Sequence, residues 1–158
     1  MSRHPSPRAL RAVLSLLFAV APVGQTFAAG DAGLSTRADP RWLELTQEAR
    51  QTIAVIDWFY VQHRACPQPS RPAELLAIQR GLGDGFTIDR EGQFVAIRGI
   101  SMSGVWLYYA SPAHPEKCTV MRKLGDGPAL IWRRQRSGGR WAYDPGDGGA
   151  ERPINVAR

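Results

Sequence analysis

The hydrophobic period of this chain changes once, after Gly81, and that change splits the fold into a helical part, itself broken at Cys66-Pro67-Gln68-Pro69-Ser70-Arg71-Pro72, and a strand part. Upstream, Leu45, Ala49, Ile53, Ile56 and Tyr60 fall three or four apart, the spacing of one buried helical face. With Asp39 as N-cap and Pro40 in the first turn, the pattern predicts one long helix over residues 40–63. Its second half, residues 53–61, is apolar almost all round except at Asp57, which points to contacts on more than one side. The three prolines then end it by removing amide donors and disfavouring helical angles in the residues before them.

Downstream, a short helix is expected over residues 72–80, closed by Gly81. Six short aromatic or β-branched runs follow, at 86–90, 93–98, 105–110, 118–123, 130–134 and 140–143, separated by turn residues. Glu91-Gly92 and Ser137-Gly138-Gly139 mark the first and last pairs as hairpins. The expected fold is therefore α+β: one long N-terminal helix packed on an antiparallel meander of about six strands, with one disulfide. Gly-Asp-Gly at 83–85, 125–127 and 146–148 is turn punctuation, since the flanking residues do not repeat.

The N-terminus sets the compartment. Arg3, Arg8 and Arg11 precede an apolar stretch of 12 residues at 12–23, well short of the roughly 20 needed to span a bilayer. Thr26 and Ala28 suit a signal peptidase, so residues 1–28 read as a secretory signal peptide cleaved after Ala28. No nearby Cys could take a lipid, and no Arg pair marks the twin-arginine route, which leaves general secretion to the periplasm or beyond. The expected mature chain has a flexible lead-in at 29–38, one globular domain at 39–144 and an extended or disordered tail at 145–158, with no transmembrane segment.

Cleavage also changes the charge. Three of the 20 Lys and Arg residues leave with the leader but none of the 14 acids does, taking the net charge from +6 to +3. That weakens the case for a nucleic-acid partner. Cys66 and Cys118 are the two cysteines, and an exported chain with one possible pairing favours a disulfide. The alternative, zinc held by His63, Cys66, His114 and Cys118, has a feasible spacing but not a diagnostic one.

Other chemistry is thin. Gly99-Ile100-Ser101-Met102-Ser103 misses the final glycine of a nucleophile elbow and precedes a strand rather than a helix, so a hydrolase built on Ser101 is a minor alternative. Asp144 and Asp147 lack the further ligands of a calcium loop. Asp57 is either a buried acid or the partner of an arginine. On the strand at 105–110, Val105, Leu107 and Tyr109 alternate with Trp106, Tyr108 and Ala110. If the helix covers the first set, Trp106 and Tyr108, with Trp132, Arg133 and Arg134, could form a glycan- or anionic-polymer-binding face; the alternative is that these aromatics fill a second core layer or cover a central strand. No catalytic residue and no cofactor is assigned.

A helix carrying Trp58-Phe59-Tyr60, then Ala65-Cys66-Pro67, then an antiparallel meander resembles the globular head of type IV pilins and pseudopilins over residues 40–143. The prepilin cleavage motif of that family, with an apolar helix running on from it and a Glu at the fifth mature position, is not found. The resemblance implies an envelope component that assembles with protein partners without catalysis. The functional expectation is a non-enzymatic protein-interaction component of the bacterial cell envelope.

Overall fold

The computed structural model describes residues 40–156, in which three helices come first: α1 (Pro40–Glu48), α2 (Arg50–His63) and α3 (Pro72–Leu82). Seven strands follow: β1 (Phe86–Glu91), β2 (Phe94–Gly99), β3 (Trp106–Ala110), β4 (Cys118–Lys123), β5 (Ala129–Gln135), β6 (Gly138–Asp144) and β7 (Arg152–Pro153). They form one antiparallel sheet in chain order, so the α+β class and the meander are as the sequence indicates. The expected leader at 1–28, the lead-in at 29–38 and the Asp39 cap lie outside the described residues.

The single long helix is corrected to two. Ala49 interrupts it with φ −81° and ψ −8°, displaced from helical values towards a turn, and no side chain caps the junction. The two segments serve different parts of the sheet. Trp42 of α1 packs on Tyr143 of β6, with ring centroids 5.2 Å apart, whereas Ile56 and Tyr60 of α2 join the cluster around Trp106, Tyr108 and Val120. Strands in a sheet rotate by roughly 20–25° from one to the next, so a straight rod cannot follow both stations. Ala49 is fully buried at the bend, where a larger side chain would have no room.

The strand number is corrected from six to seven. Arg152 and Pro153 pair with Tyr143 and Ala142, inside a stretch read from sequence as an extended or disordered tail. Two residues are too few to display a period of two. The third helix also runs past its expected end: Gly81 stays helical and Gly83, at φ 81°, caps it. Gly81 is there for packing, since a Cβ at that position would sit 2.8 Å from Val55 Cγ1 of α2.

Register decides which residues face the helices. Ile88, Ile97 and Trp106 form one row across the strands, and Val95, Tyr108, Val120, Trp132 and Trp141 form the next. Both rows pack against Ile56, Tyr60 and Ile78 in one core. Trp106 and Tyr108 are fully buried there, and removing a ring of roughly 200 Å² from water contributes about 5 kcal/mol. The opposite face carries the row Ala96, Leu107, Met121, Ile131 and Ala142. β1 is exposed at Thr87, Asp89, Arg90 and Glu91, and Arg98 of β2 donates to both Asp89 (2.7 Å) and Glu91 (3.1 Å).

The proline-rich connection between α2 and α3 is pinned to the sheet. Cys66 forms a disulfide with Cys118 at the start of β4. The Cys66 amide donates to the Pro115 carbonyl at 2.6 Å, and the Tyr108 hydroxyl donates to the Pro67 carbonyl at 2.7 Å. Burial, reinforced by the negative charge of Glu74, raises the Tyr108 phenol well above its ordinary pKa, so it remains a donor throughout the physiological range.

Candidate functional site

The residues proposed from sequence as an aromatic binding face are placed in the core. Trp106, Tyr108 and Trp132 lie on the helix side of the sheet with almost no exposed surface. The alternation along β3 is as expected, but the helices cover Trp106 and Tyr108, leaving Leu107 and Tyr109 on the other face. Of the two arginines, Arg133 projects on that other face and pairs with Glu151. Arg134 turns inward, with its guanidinium 4.2 Å from the centre of the Tyr60 ring.

Arg134 is also the answer to Asp57. Its Nη1 lies 3.0 Å from Asp57 Oδ1, close enough for an ion pair but out of line for a hydrogen bond, so neither that oxygen nor Arg134 Nε has a hydrogen-bond partner. Burial raises the Asp57 pKa and the nearby guanidinium only partly offsets it.

The histidines and cysteines are not brought together as ligands. Both sulfurs are in the disulfide, His63 stacks on Phe59 at 4.2 Å, and His114 Nδ1 is 3.8 Å from Glu116 Oε1. Among the described residues no group of three His, Cys, Asp or Glu could hold a metal ion. His63 and Glu74 line a pocket of about 600 Å³ beside the disulfide, but Glu74 already accepts from the Gln68 amide (2.6 Å) and from Arg71 (2.8 Å). Ser101 is exposed in the β2–β3 connection, and no hydrogen bond joins it to a histidine among the described residues.

Its neighbour Ser103 is the engaged serine. Glu48, at the end of α1, accepts from the Ser103 amide (3.1 Å) and hydroxyl (2.5 Å), from Trp106 Nε1 (3.2 Å) and from Arg122 of β4. Arg122 also donates to Ser103 Oγ at 3.0 Å. Burial pushes the Glu48 pKa up, but the Ser103 and Trp106 hydrogen bonds and the Arg122 charge outweigh it and leave the carboxyl below its ordinary range. A low-pKa carboxylate saturated with donors is a poor base, and a serine oxygen accepting from a guanidinium is a poor nucleophile. This cluster is a clasp between α1, the β2–β3 connection and β4.

The surface that stands out lies between α2 and α3. Their outer faces leave Trp58 59% exposed, with Val61 and Leu76 also exposed. Trp58, Ala54 and Val55 from α2 and Ala77, Arg80 and Gly81 from α3 line a groove of about 650 Å³. The groove exists because Gly81 admits Val55 so closely and because small Ala54 and Ala77 leave its floor open. Gln51 and Arg80 supply its polar groups, and Arg80 has no acidic partner among the described residues.

Comparison with known families, characterised proteins and solved structures finds no match.

The groove therefore has to be interpreted from its own chemistry. Of the large exposed apolar side chains, Trp58 lines the groove, whereas Val61, Leu76 and Ile100 do not. Its signal was present in the sequence as the all-round apolar second half of the first helical pattern, in which Ile56 and Tyr60 serve the core while Trp58 and Val61 face outward. Among the described residues no helix is long and apolar enough to cross a membrane.

Proposed function

We propose that this domain is a non-enzymatic protein-interaction component of the bacterial cell envelope, exported to the periplasm or beyond, and that it docks a partner in the α2/α3 groove. The observation that carries this is the exposed Trp58 beside an apolar, small-floored groove. Exposed tryptophan in a pocket is the residue type that most often dominates binding energy at interfaces. The disulfide fits an oxidising compartment, which supports the export reading.

The occupant that suits the groove is an apolar helix of the partner, seated over Ala54 and Ala77, with an acidic residue meeting Arg80. The test is capture of the tagged full chain from its own envelope, alongside Trp58→Ser and Ala77→Trp, which respectively remove the anchor and fill the floor. One stoichiometric partner should be retained by the wild type and lost by both variants, with Arg80→Glu weakening retention. Absence of a partner, or a partner indifferent to all three changes, would overturn the proposal. Because Trp58 and Arg80 are exposed, their variants should unfold at the wild-type urea concentration, separating lost docking from lost folding.

A further inference from the structure

The groove between α2 and α3 does not end at Trp58. Ala77, part of its floor, is also a wall of the pocket of about 600 Å³ beside the disulfide, so the two cavities meet along the helix pair. The trough they form runs from Gln51 and Gly81 at one end to His63 and Ala73 at the other. From Gln51 to His63 the rise along α2 is about 18 Å.

The far pocket is walled by Phe59 and Ala73 of the helices and by Pro112 and Pro115 of the β3–β4 connection. The Cys66–Cys118 disulfide, and the Cys66 amide donating to the Pro115 carbonyl at 2.6 Å, tie these two walls together before anything enters. Its acid, Glu74, already accepts from the Gln68 amide and from Arg71. What the pocket offers an incoming group is therefore mostly apolar wall. The rim has one sign of charge: no exposed residue from Arg50 to Leu82 is acidic. Arg80 lies at one end of the trough and Arg64, which follows His63, at the other, both exposed and neither with an acidic partner among the described residues.

Resting on the reading of the groove as a docking site, we propose that its occupant is an acidic amphipathic helix of a partner protein that fills the whole trough. Its apolar ridge lies over Ala54 and Ala77, one large apolar side chain enters the pocket beside the disulfide, and acidic residues near its two ends meet Arg80 and Arg64. A helix covering about 18 Å needs about 12 residues, so its contacts at the two ends lie more than three turns apart. The pocket supplies the depth that the groove floor lacks, which makes the inserted side chain the partner's anchor, as Trp58 is the anchor on this side. An anionic lipid surface would match the arginines, but a flat surface would leave the trough unfilled.

The test places a photo-cross-linking amino acid at Gln51 or at Ala73 of the full chain, both exposed positions, irradiates it in its own cell envelope, and maps the attached peptides by mass spectrometry. Both positions should reach one partner, at sites about 12 residues apart in a single helical stretch, with a large apolar residue beside the Ala73 site and acids towards both ends. Ala73→Trp, which plugs the pocket from its rim, should weaken retention of that partner about 10-fold without moving the urea midpoint, and Arg64→Glu should weaken it most at low salt. Cross-links from Gln51 alone, sites at any other spacing, or full retention by Ala73→Trp would overturn this proposal while leaving the groove reading intact. Cross-links from neither position, or to lipid in place of protein, would overturn both.

Discussion

Replacing Glu48 by Ala removes the acceptor for four hydrogen bonds at the junction of α1, β3 and β4. The Trp106 N–H, on a fully buried ring, loses its partner, at a cost of about 1–3 kcal/mol. Arg122 loses its counter-charge with its side chain only 14% exposed, and one-sided breakage of such a pair costs about 3–5 kcal/mol. The two costs overlap, and Ser103 and water reach the cluster from its open side. We therefore expect a net loss of about 3 kcal/mol, or about 10 °C in Tm for a domain of this size.

The pH dependence gives a second, independent check. Because the folded pKa of Glu48 is lowered, its contribution is complete above the ordinary glutamate value of 4.5 and is lost as pH falls through the folded value. The gap between wild type and Glu48→Ala, measured by urea unfolding followed through tryptophan fluorescence, should be constant from neutral pH down to about 5 and narrow below it. Glu48→Gln should fall between the two, and a joint Glu48→Leu, Arg122→Leu change should be milder than Glu48→Ala alone. A loss below about 1 kcal/mol, or a gap that stays constant to the lowest pH at which the protein folds, would refute the reasoning.

Two further outcomes follow from close contacts and from chain closure. Cys66→Ser with Cys118→Ser opens a link between residues 52 apart and should lower stability by about 4 kcal/mol, read as a lower urea midpoint; an unchanged midpoint would show that the linkage contributes nothing. Gly139→Ala drives a methyl group into the Trp132 indole and should cost about 1–3 kcal/mol with a changed near-ultraviolet tryptophan spectrum, and an unaltered spectrum would count against so close an approach of the two residues.

What could be read from the sequence was the information stored in short range. The six strand segments, the proline break and the disulfide all rest on residues that act within a few positions or on a pairing with no competitor. What could not be read depends on partners far along the chain. Alternation along β3 separates Trp106 and Tyr108 from Leu107 and Tyr109, but only their contact with α2 fixes which set is inside. The bend at Ala49 answers to Tyr143, about 100 residues away, and carries no proline or capping residue to announce it. Ser101 drew notice through its glycine spacing, whereas Ser103 is engaged because Glu48 and Arg122, distant in sequence, converge on it. The groove was half legible, since the apolar side chains of residues 53–61 left over after the core side is counted have to lie on an outer face.

A meander ordered β1 to β7 ends in two outermost strands, each with backbone groups that could pair with another molecule. Here both are poor templates. β1 surrounds its free amides with Asp89, Arg90 and Glu91, and β7 offers only two residues, one of them a proline without a donor. Strand-to-strand growth of copies through these two strands is thereby discouraged, which leaves the exposed apolar side chains of α2 and α3 as the surface open to contact.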